Sequence, residues 1–318
     1  MLGSYRRRTV GALSAALGAA MTLVIGTTTS ARAATFVNGG TDSLYNVTRA
    51  LADDYAFNVD PNGDDWLTAP AAPGAFTFAN AACNAYYATH PLPTNADVLP
   101  LERAQVVPNC FAFARTDVTP TTPTDLTYIR VAGDAVTWAT KKPGAPTNLS
   151  KAVLKNIYNC TYTDWSQLPG STASGAIQKH LPRAEGGLRR NFIKYVLDDF
   201  DPTAPANYPC SITVVGTAQP DRGDDPAIGS ANAIIAYDAS AYRAQTTPAT
   251  GVVNHTNGFK LGSIDGKAPN TAAFTGNIST YYVIDARDTE IDTNTIAFIN
   301  WAKAPAQRPI WQLFGFVP

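Results

Sequence analysis

The sequence predicts an α/β fold made of two lobes, each built on a largely parallel sheet. Three observations carry that expectation. β-prone runs alternate with segments of helical period. Glycines and capping residues stand where a strand would hand over to a helix. The chain, 318 residues long with 45% hydrophobic side chains, exceeds one average domain and can bury a sizeable core.

The first 33 residues are read apart from the fold. Arg6, Arg7 and Arg8 precede an uncharged apolar run, which closes on Ala31-Arg32-Ala33. Charge, apolar stretch and a small-residue cleavage site in that order define a secretory signal peptide over 1–33. Arg7-Arg8 leaves the export route, general or twin-arginine, open. The leader holds four of the 24 Lys and Arg and none of the 25 acids, so the remainder carries 20 basic and 25 acidic side chains, a formal charge of −5. That balance excludes a general binder of nucleic acid or anionic membranes. No second apolar run is long enough to span a bilayer, so the mature chain is expected outside the cytoplasm and free of a membrane span.

The elements follow in order. Thr35-Phe36-Val37 is β-prone, Asn38-Gly39-Gly40 reads as a turn, and Asp42 or Ser43 reads as the N-cap of a helix carrying Leu44, Val47, Leu51 and Tyr55. Residues 57–80, rich in Asp, Asn, Pro, Gly and Ala, read as a long loop, and so do residues 116–125. Leu126–Ala139 reads as two strand pieces broken at Gly133-Asp134. Ser150 caps a helix with Val153, Leu154, Ile157 and Tyr158 on one face. Gly186-Gly187 leads another, with Leu188, Phe192, Ile193, Val196 and Leu197 inward. Strands are expected at Ser211–Val215, Ala233–Ala236 and Tyr281–Ile284, and a helix around Ile296 and Ile299.

Four cysteines in an exported chain imply two disulfides. Three pairings exist; Cys83–Cys110 with Cys160–Cys210 keeps each pair within one block of sequence. No two cysteines are close, His90, His180 and His255 are scattered, and Asp64-Asp65 and Asp224-Asp225 lack calcium-loop spacing and read as solvated acids, so no metal or other cofactor is expected. Trp138 and Trp165 read as core.

Several segments resemble the phosphate-binding (PstS-like) branch of the type 2 periplasmic-binding-protein superfamily, especially its actinobacterial members. They are Gly39-Gly40-Thr41-Asp42-Ser43; Phe113-Ala114-Arg115-Thr116-Asp117 with Ile129-Arg130-Val131 and Asp134-Ala135-Val136; and Leu149-Ser150-Lys151 with Leu154, Ile157-Tyr158, Cys160 and Thr163-Asp164-Trp165. Leu181–Phe192 and the closing Phe314-Gly315-Phe316 complete the set, so the likeness runs from about residue 36 to the C-terminus. The resemblance implies a periplasmic-binding-protein-like fold with two hinge crossings, near Asp134–Thr140 and Ser230–Tyr237, and a central ligand cleft. Lobe 1 would hold residues 34–136 plus 234–318, and lobe 2 residues 137–233. It further implies a monomeric, secreted solute-binding protein rather than an enzyme, with phosphate or a related oxyanion as ligand and an ABC-type permease or a cell-wall component as partner.

The physics of anion binding points to two helix starts, whose unpaired N–H groups and dipole ends attract negative charge. Gly40-Thr41-Asp42-Ser43 supplies one, with hydroxyls at Thr41 and Ser43. Glu185-Gly186-Gly187-Leu188 supplies the other. Arg183 or Arg189 would add a bidentate charge, and Arg115 and Asp117 would complete the ring. By the resemblance, an acid there accepts a proton from hydrogen phosphate and so discriminates against sulfate. Arg189-Arg190 as a pair reads as a solvated face, which leaves Arg190 outside the site.

Two departures from the family pattern open an alternative. Relatives carry Ser-Gly-Thr where this chain has Gly186-Gly187-Leu188, which removes hydroxyl donors and would turn Leu188 toward the cleft. No cysteine follows the cleavage site to take a lipid. An interaction module that keeps the fold without phosphate is the alternative. A secreted phosphohydrolase is less supported, because no G-x-S-x-G and no metal-spaced cluster occurs.

Overall fold

A computed structural model describes residues 34–60, 62–70, 76–87, 110–119, 125–184, 186–207, 212–215, 221–285 and 293–318. The expected signal peptide lies outside the described residues, as do His90, Glu185 and Cys210. The strands are β1 Thr35–Gly40, β2 Asp65–Thr68, β3 Phe113–Thr116, β4 Leu126–Thr140, β5 Asn148–Leu149, β6 Gln178–Pro182, β7 Thr213–Val215, β8 Ala233–Asp238, β9 Lys260–Leu261, β10 Ser263–Ile264 and β11 Asn277–Asp285. Helices follow several of them: Tyr45–Asn58, Lys151–Tyr158, Gly187–Asn191, Ala239–Thr246 and Thr293–Ala302. No helix among the described residues is long and apolar enough to cross a membrane.

One sheet runs in the order β2-β1-β3-β11-β4-β8-β6-β7, with β9 also on β4. It is mixed rather than largely parallel. The outer strands β2, β1, β3 and β8, β6, β7 pair in parallel, but at the centre β11 runs antiparallel to β3 and β4, and β4 antiparallel to β8. The reason lies in β4. It is 15 residues long, pairs with β11 up to Ala135, and pairs with β8 from Val136 onward. One strand therefore belongs to two half-sheets, each with its own helices and core, and these are the two lobes.

β4 is not broken at Gly133-Asp134 as its glycine suggested. The C-terminal segment returns to hold it: Gly133 N–H donates to Val317 O at 2.6 Å and Val317 N–H to Gly133 O at 2.9 Å. The irregularity sits earlier, where the β11 register slips between Thr280 and Tyr281. Asn38-Gly39-Gly40 is likewise strand rather than turn, paired to β3. A Cβ on Gly39 would stand 2.5 Å from the Phe111 ring, and one on Gly40 2.1 Å from Arg115 O. The glycines serve close strand packing there.

The expected loop over 57–80 contains β2. Trp66, buried in it, stacks between Phe36 at 4.4 Å and Phe298 at 4.8 Å, and this packing fixes a strand that the flanking polar residues conceal. Asp64 is buried and accepts Ala34 N–H at 2.7 Å, so it is not a solvated loop acid. Asp225 is not one either: it is buried and caps the turn Pro226–Ile228.

The first lobe's core gathers Leu44, Val47, Leu51, Tyr55, Trp66, Phe113, Tyr282, Phe298 and Trp311. The second gathers Trp138, Leu154, Ile157, Tyr158, Trp165, Leu181, Leu188, Phe192 and Val196. Trp138 and Trp165 are core, as read. Ser150 caps its helix as expected, accepting Val153 N–H at 3.1 Å, a contact contributing about 1 kcal/mol. Cys83 and Cys110 form a disulfide. Cys160 is disulfide-bonded as well, while Cys210, its expected partner, falls outside the described residues.

Candidate functional site

The site lies where β1, β3 and β8 end beside the start of the second-lobe helix. β1 ends on Gly40 at φ 122°, a conformation that favours glycine. The next residue, Thr41, donates its N–H to Arg115 O at 3.0 Å. The chain then enters a 3-10 turn, Asp42–Leu44, that leads into the helix from Tyr45. Neither Asp42 nor Ser43 is the N-cap. That position is Thr41 for the turn and Leu44 for the helix, and neither makes a side-chain cap bond. The Ser43 side chain is engaged elsewhere.

Ser43 Oγ is 2.6 Å from Asp238 Oδ2 and 3.4 Å from Asp117 Oδ2, and Thr41 Oγ1 stands 3.5 Å from Ser43 Oγ. The single Ser43 proton goes to the shorter contact, Asp238. Asp117 comes from the end of β3 and meets the second lobe directly. Its carbonyl accepts Asn191 Nδ2–H at 3.0 Å, and its Oδ1 lies 2.0 Å from where a Gly187 Cβ would be. Only glycine at 187 admits the carboxylate so close to the helix start. Asp117 Oδ1 and Asp238 Oδ1 are buried and have no hydrogen-bond partner among the described residues.

More acids stand behind these. Asp221 Oδ1 accepts the backbone N–H of Asp238 at 2.7 Å. Asp134 Oδ1 accepts the N–H groups of Ala135 at 2.6 Å and Ser240 at 3.0 Å, and its Oδ2 accepts the Ser240 hydroxyl. All four carboxyls are buried. Burial, reinforced by mutual repulsion, pushes Asp117 and Asp134 up to about 6, Asp221 up to about 8, and Asp238 well above the carboxylate range. Arg190 opposes the shift of Asp117 by its charge.

The arginines divide. Arg115 is fully buried and pushed down to about 10 by that burial. Its guanidinium donates to Asn38 Oδ1 at 2.5 Å, Ala69 O at 2.8 Å and Thr41 O at 3.3 Å. It braces the Gly40–Thr41 corner from behind. Arg189 points to Pro182 O at 3.4 Å, to the Thr203 hydroxyl and to Asp201 at 3.8 Å. Arg183 is half-buried, with Nε and Nη2 lacking a hydrogen-bond partner among the described residues, and its carbonyl accepts Gly186 N–H at 3.1 Å. Leu188 does not face the cleft; it is buried in the second-lobe core, because the helix turns its first apolar residue inward.

The structure thus brings Thr41, Ser43, Asp117 and Gly187 together, sets Arg115 behind them, and turns Arg189 away. Asp134, Asp221, Asp238 and Ser240 were not read as site residues. A signal existed for Asp238: an acid ends an apolar strand and precedes a helix, the place where α/β folds gather ligands. Asp221 has none, since its role depends on the approach of β8. Among the described residues no group of three His, Cys, Asp or Glu is arranged to hold a metal.

Comparison with known proteins places this geometry. A family model described as a PBP superfamily domain matches residues 112–304. No curated protein sequence matches the chain. Among solved structures, an ABC-type phosphate transport receptor from Vibrio cholerae aligns with a TM-score of 0.57 at 15% identity, over 89% of this chain and 99% of its own. A phosphate-binding protein from Stenotrophomonas maltophilia aligns with a TM-score of 0.56 at 14% identity, over 90% of this chain and 91% of its own. A variant of OxyR from Pseudomonas aeruginosa aligns with a TM-score of 0.50 at 9% identity, over 86% of this chain and 70% of its own. At such identities the likeness is one of fold, and the ligand has to be argued from the site.

Proposed function

Since the chain belongs to the PBP superfamily, we propose that it is an exported, non-enzymatic solute-binding protein. It holds phosphate or a related small oxyanion between a lobe of residues 34–136 plus 234–318 and a lobe of residues 137–233, and it delivers that ligand to an ABC-type permease. One observation carries the reading: a hydroxyl-bearing helix lead from one lobe, Thr41–Ser43, and a glycine helix start from the other, Gly187, meet at Asp117. N–H groups and hydroxyls at such a point are what an oxyanion requires. The carboxyls do not forbid it. Asp221, pushed up to about 8, is mostly protonated at neutral pH, burial pushes Asp238 upward as well, and Asp117 has a buried oxygen without a partner among the described residues to accept the proton of hydrogen phosphate.

The test is calorimetric titration of the purified protein with phosphate, and with sulfate as control. Micromolar or tighter binding of phosphate alone is expected. No heat at two temperatures would overturn the reading.

The absence of hydroxyls at Gly186-Gly187-Leu188 supports a second reading, a secreted module that binds a cell-wall component or partner chain. Retention on cell-wall material without any response to phosphate would favour it. Turnover of a chromogenic phosphoester that survives repurification would overturn both.

A further inference from the structure

A cavity lined in part by Asp134, one of the four buried carboxyls, contains neither Ser43 nor Asp117 in its wall. Its volume is about 490 Å³, and it is lined by Thr119, Arg130, Asp134, Tyr195, Ser279 and Tyr281 among others. That is the size of a pocket for a small organic ligand, far larger than five-atom phosphate needs. Both lobes build it: Thr119 and Arg130 come from the first, Tyr195 from the helical segment Phe192–Val196 that follows Gly187–Asn191 in the second.

Its chemistry is specific. Arg130 donates from Nε to Ser279 Oγ at 3.3 Å and has no carboxylate partner among the described residues. The acid at the back of the cavity, Asp134, is committed to Ala135 and Ser240. Arg130 thus lines the cavity with its Nη donors held by no carboxylate among the described residues, while Asp134, which lines it too, makes no ion pair with the guanidinium. Around it stand hydroxyls: Ser279, and the Thr119–Tyr281 pair at 3.0 Å, which share one hydrogen bond and keep one proton to give. Tyr195 lines the cavity as well, with Lys194 Nζ 5.2 Å from the centre of its ring.

We propose that this cavity binds a hydroxylated organic anion of the sugar-phosphate or sugar-acid class. Its charged group pairs with Arg130, its hydroxyls bond to Ser279, Thr119 and Tyr281, and its C–H face lies on Tyr195. A guanidinium fork matches a carboxylate or phosphate bidentately, and hydroxyl-rich walls with an aromatic face suit a sugar. The cavity is separate from the contact of Ser43 with Asp117, so occupancy of one does not require the other.

The test is titration of the protein and its Arg130→Gln and Tyr281→Phe variants with glucose 6-phosphate, gluconate and inorganic phosphate. Arg130 is exposed, so an unchanged melting temperature for Arg130→Gln is the folding control. Binding of glucose 6-phosphate or gluconate is expected, weakened at least tenfold by Arg130→Gln and severalfold by Tyr281→Phe. Inorganic phosphate affinity should stay within twofold across the variants. Which of the two organic anions binds identifies the phosphate or the carboxylate as the charged group. No binding of either at millimolar concentration, or binding indifferent to Arg130→Gln, would overturn the proposal. Organic-anion binding without inorganic-phosphate binding would remove the reading of the previous subsection and leave this one standing.

Discussion

Ser43 and Asp238, 195 residues apart in sequence, meet at 2.6 Å between Oγ and Oδ2, with Asp117 Oδ2 3.4 Å from the same hydroxyl. The serine belongs to the first helix lead and the acid to the end of β8. Their contact ties the beginning of the fold to the strand that borders the second lobe.

Ser43→Ala leaves Asp238 without that donor in a buried setting. A loss of about 1–3 kcal/mol in stability is expected, with phosphate affinity reduced at least tenfold. Denaturant unfolding and calorimetry check the two effects separately; Ser43→Thr should recover part of both.

The carboxyl cluster sets a pH dependence whose sign is fixed by the direction of the shifts. Asp117, Asp134 and Asp221 have folded-state pKa values above the unfolded value of about 3.9, so the folded state holds their protons more tightly. Their contribution to stability is present in full below about pH 4. It is lost as pH rises through about 6 for Asp117 and Asp134 and through about 8 for Asp221. The melting temperature of the ligand-free protein should fall by several degrees between pH 5 and pH 9, and Asp221→Asn should flatten the upper part of that fall. A flat profile over that range in the wild type would contradict this account.

Gly187→Ala sets a methyl group 2.0 Å from Asp117 Oδ1 and must displace the carboxylate. Reduced phosphate affinity, roughly tenfold or more, is the expected result. If the effect acts through Asp117, the double variant Gly187→Ala with Asp117→Ala should melt higher than the two single losses added together, the mark of coupled neighbours.

Arg115→Gln removes a buried guanidinium that serves three acceptors on two segments. Destabilisation of about 3 kcal/mol or more is expected from the acceptors left unpaired. Any loss of ligand affinity should follow from disorder at Gly40–Thr41, so it should shrink at low temperature where the variant is fully folded. A large affinity loss with unchanged stability would instead place Arg115 in contact with the ligand.

Breaking Cys83–Cys110 by Cys83→Ser with Cys110→Ser opens a loop with a sequence separation of 27. Chain entropy predicts a loss of about 3.5 kcal/mol. Unfolding midpoints of the two oxidised proteins give the comparison.

The sequence by itself determined the α/β class, the family resemblance, the helix capped at Ser150, the presence of disulfide-forming cysteines with Cys83–Cys110 as the preferred one of three pairings, and the choice of Thr41, Ser43 and Gly187 as candidate positions. These follow from local signals: apolar period, capping chemistry, and cysteine count and spacing. Tertiary structure decided what local signals cannot carry. Trp66 makes a strand of an apparent loop because Phe36 and Phe298 enclose it. Gly133 stays within β4 because Val317 returns to pair with it. Arg115 and Arg189 look equally suited to an anion in one dimension, and only the positions of Asn38, Ala69 and Thr203 turn them to other work. Asp221 and Asp238 become neighbouring acids only when β8 brings them together, since burial and mutual repulsion are properties of proximity in space.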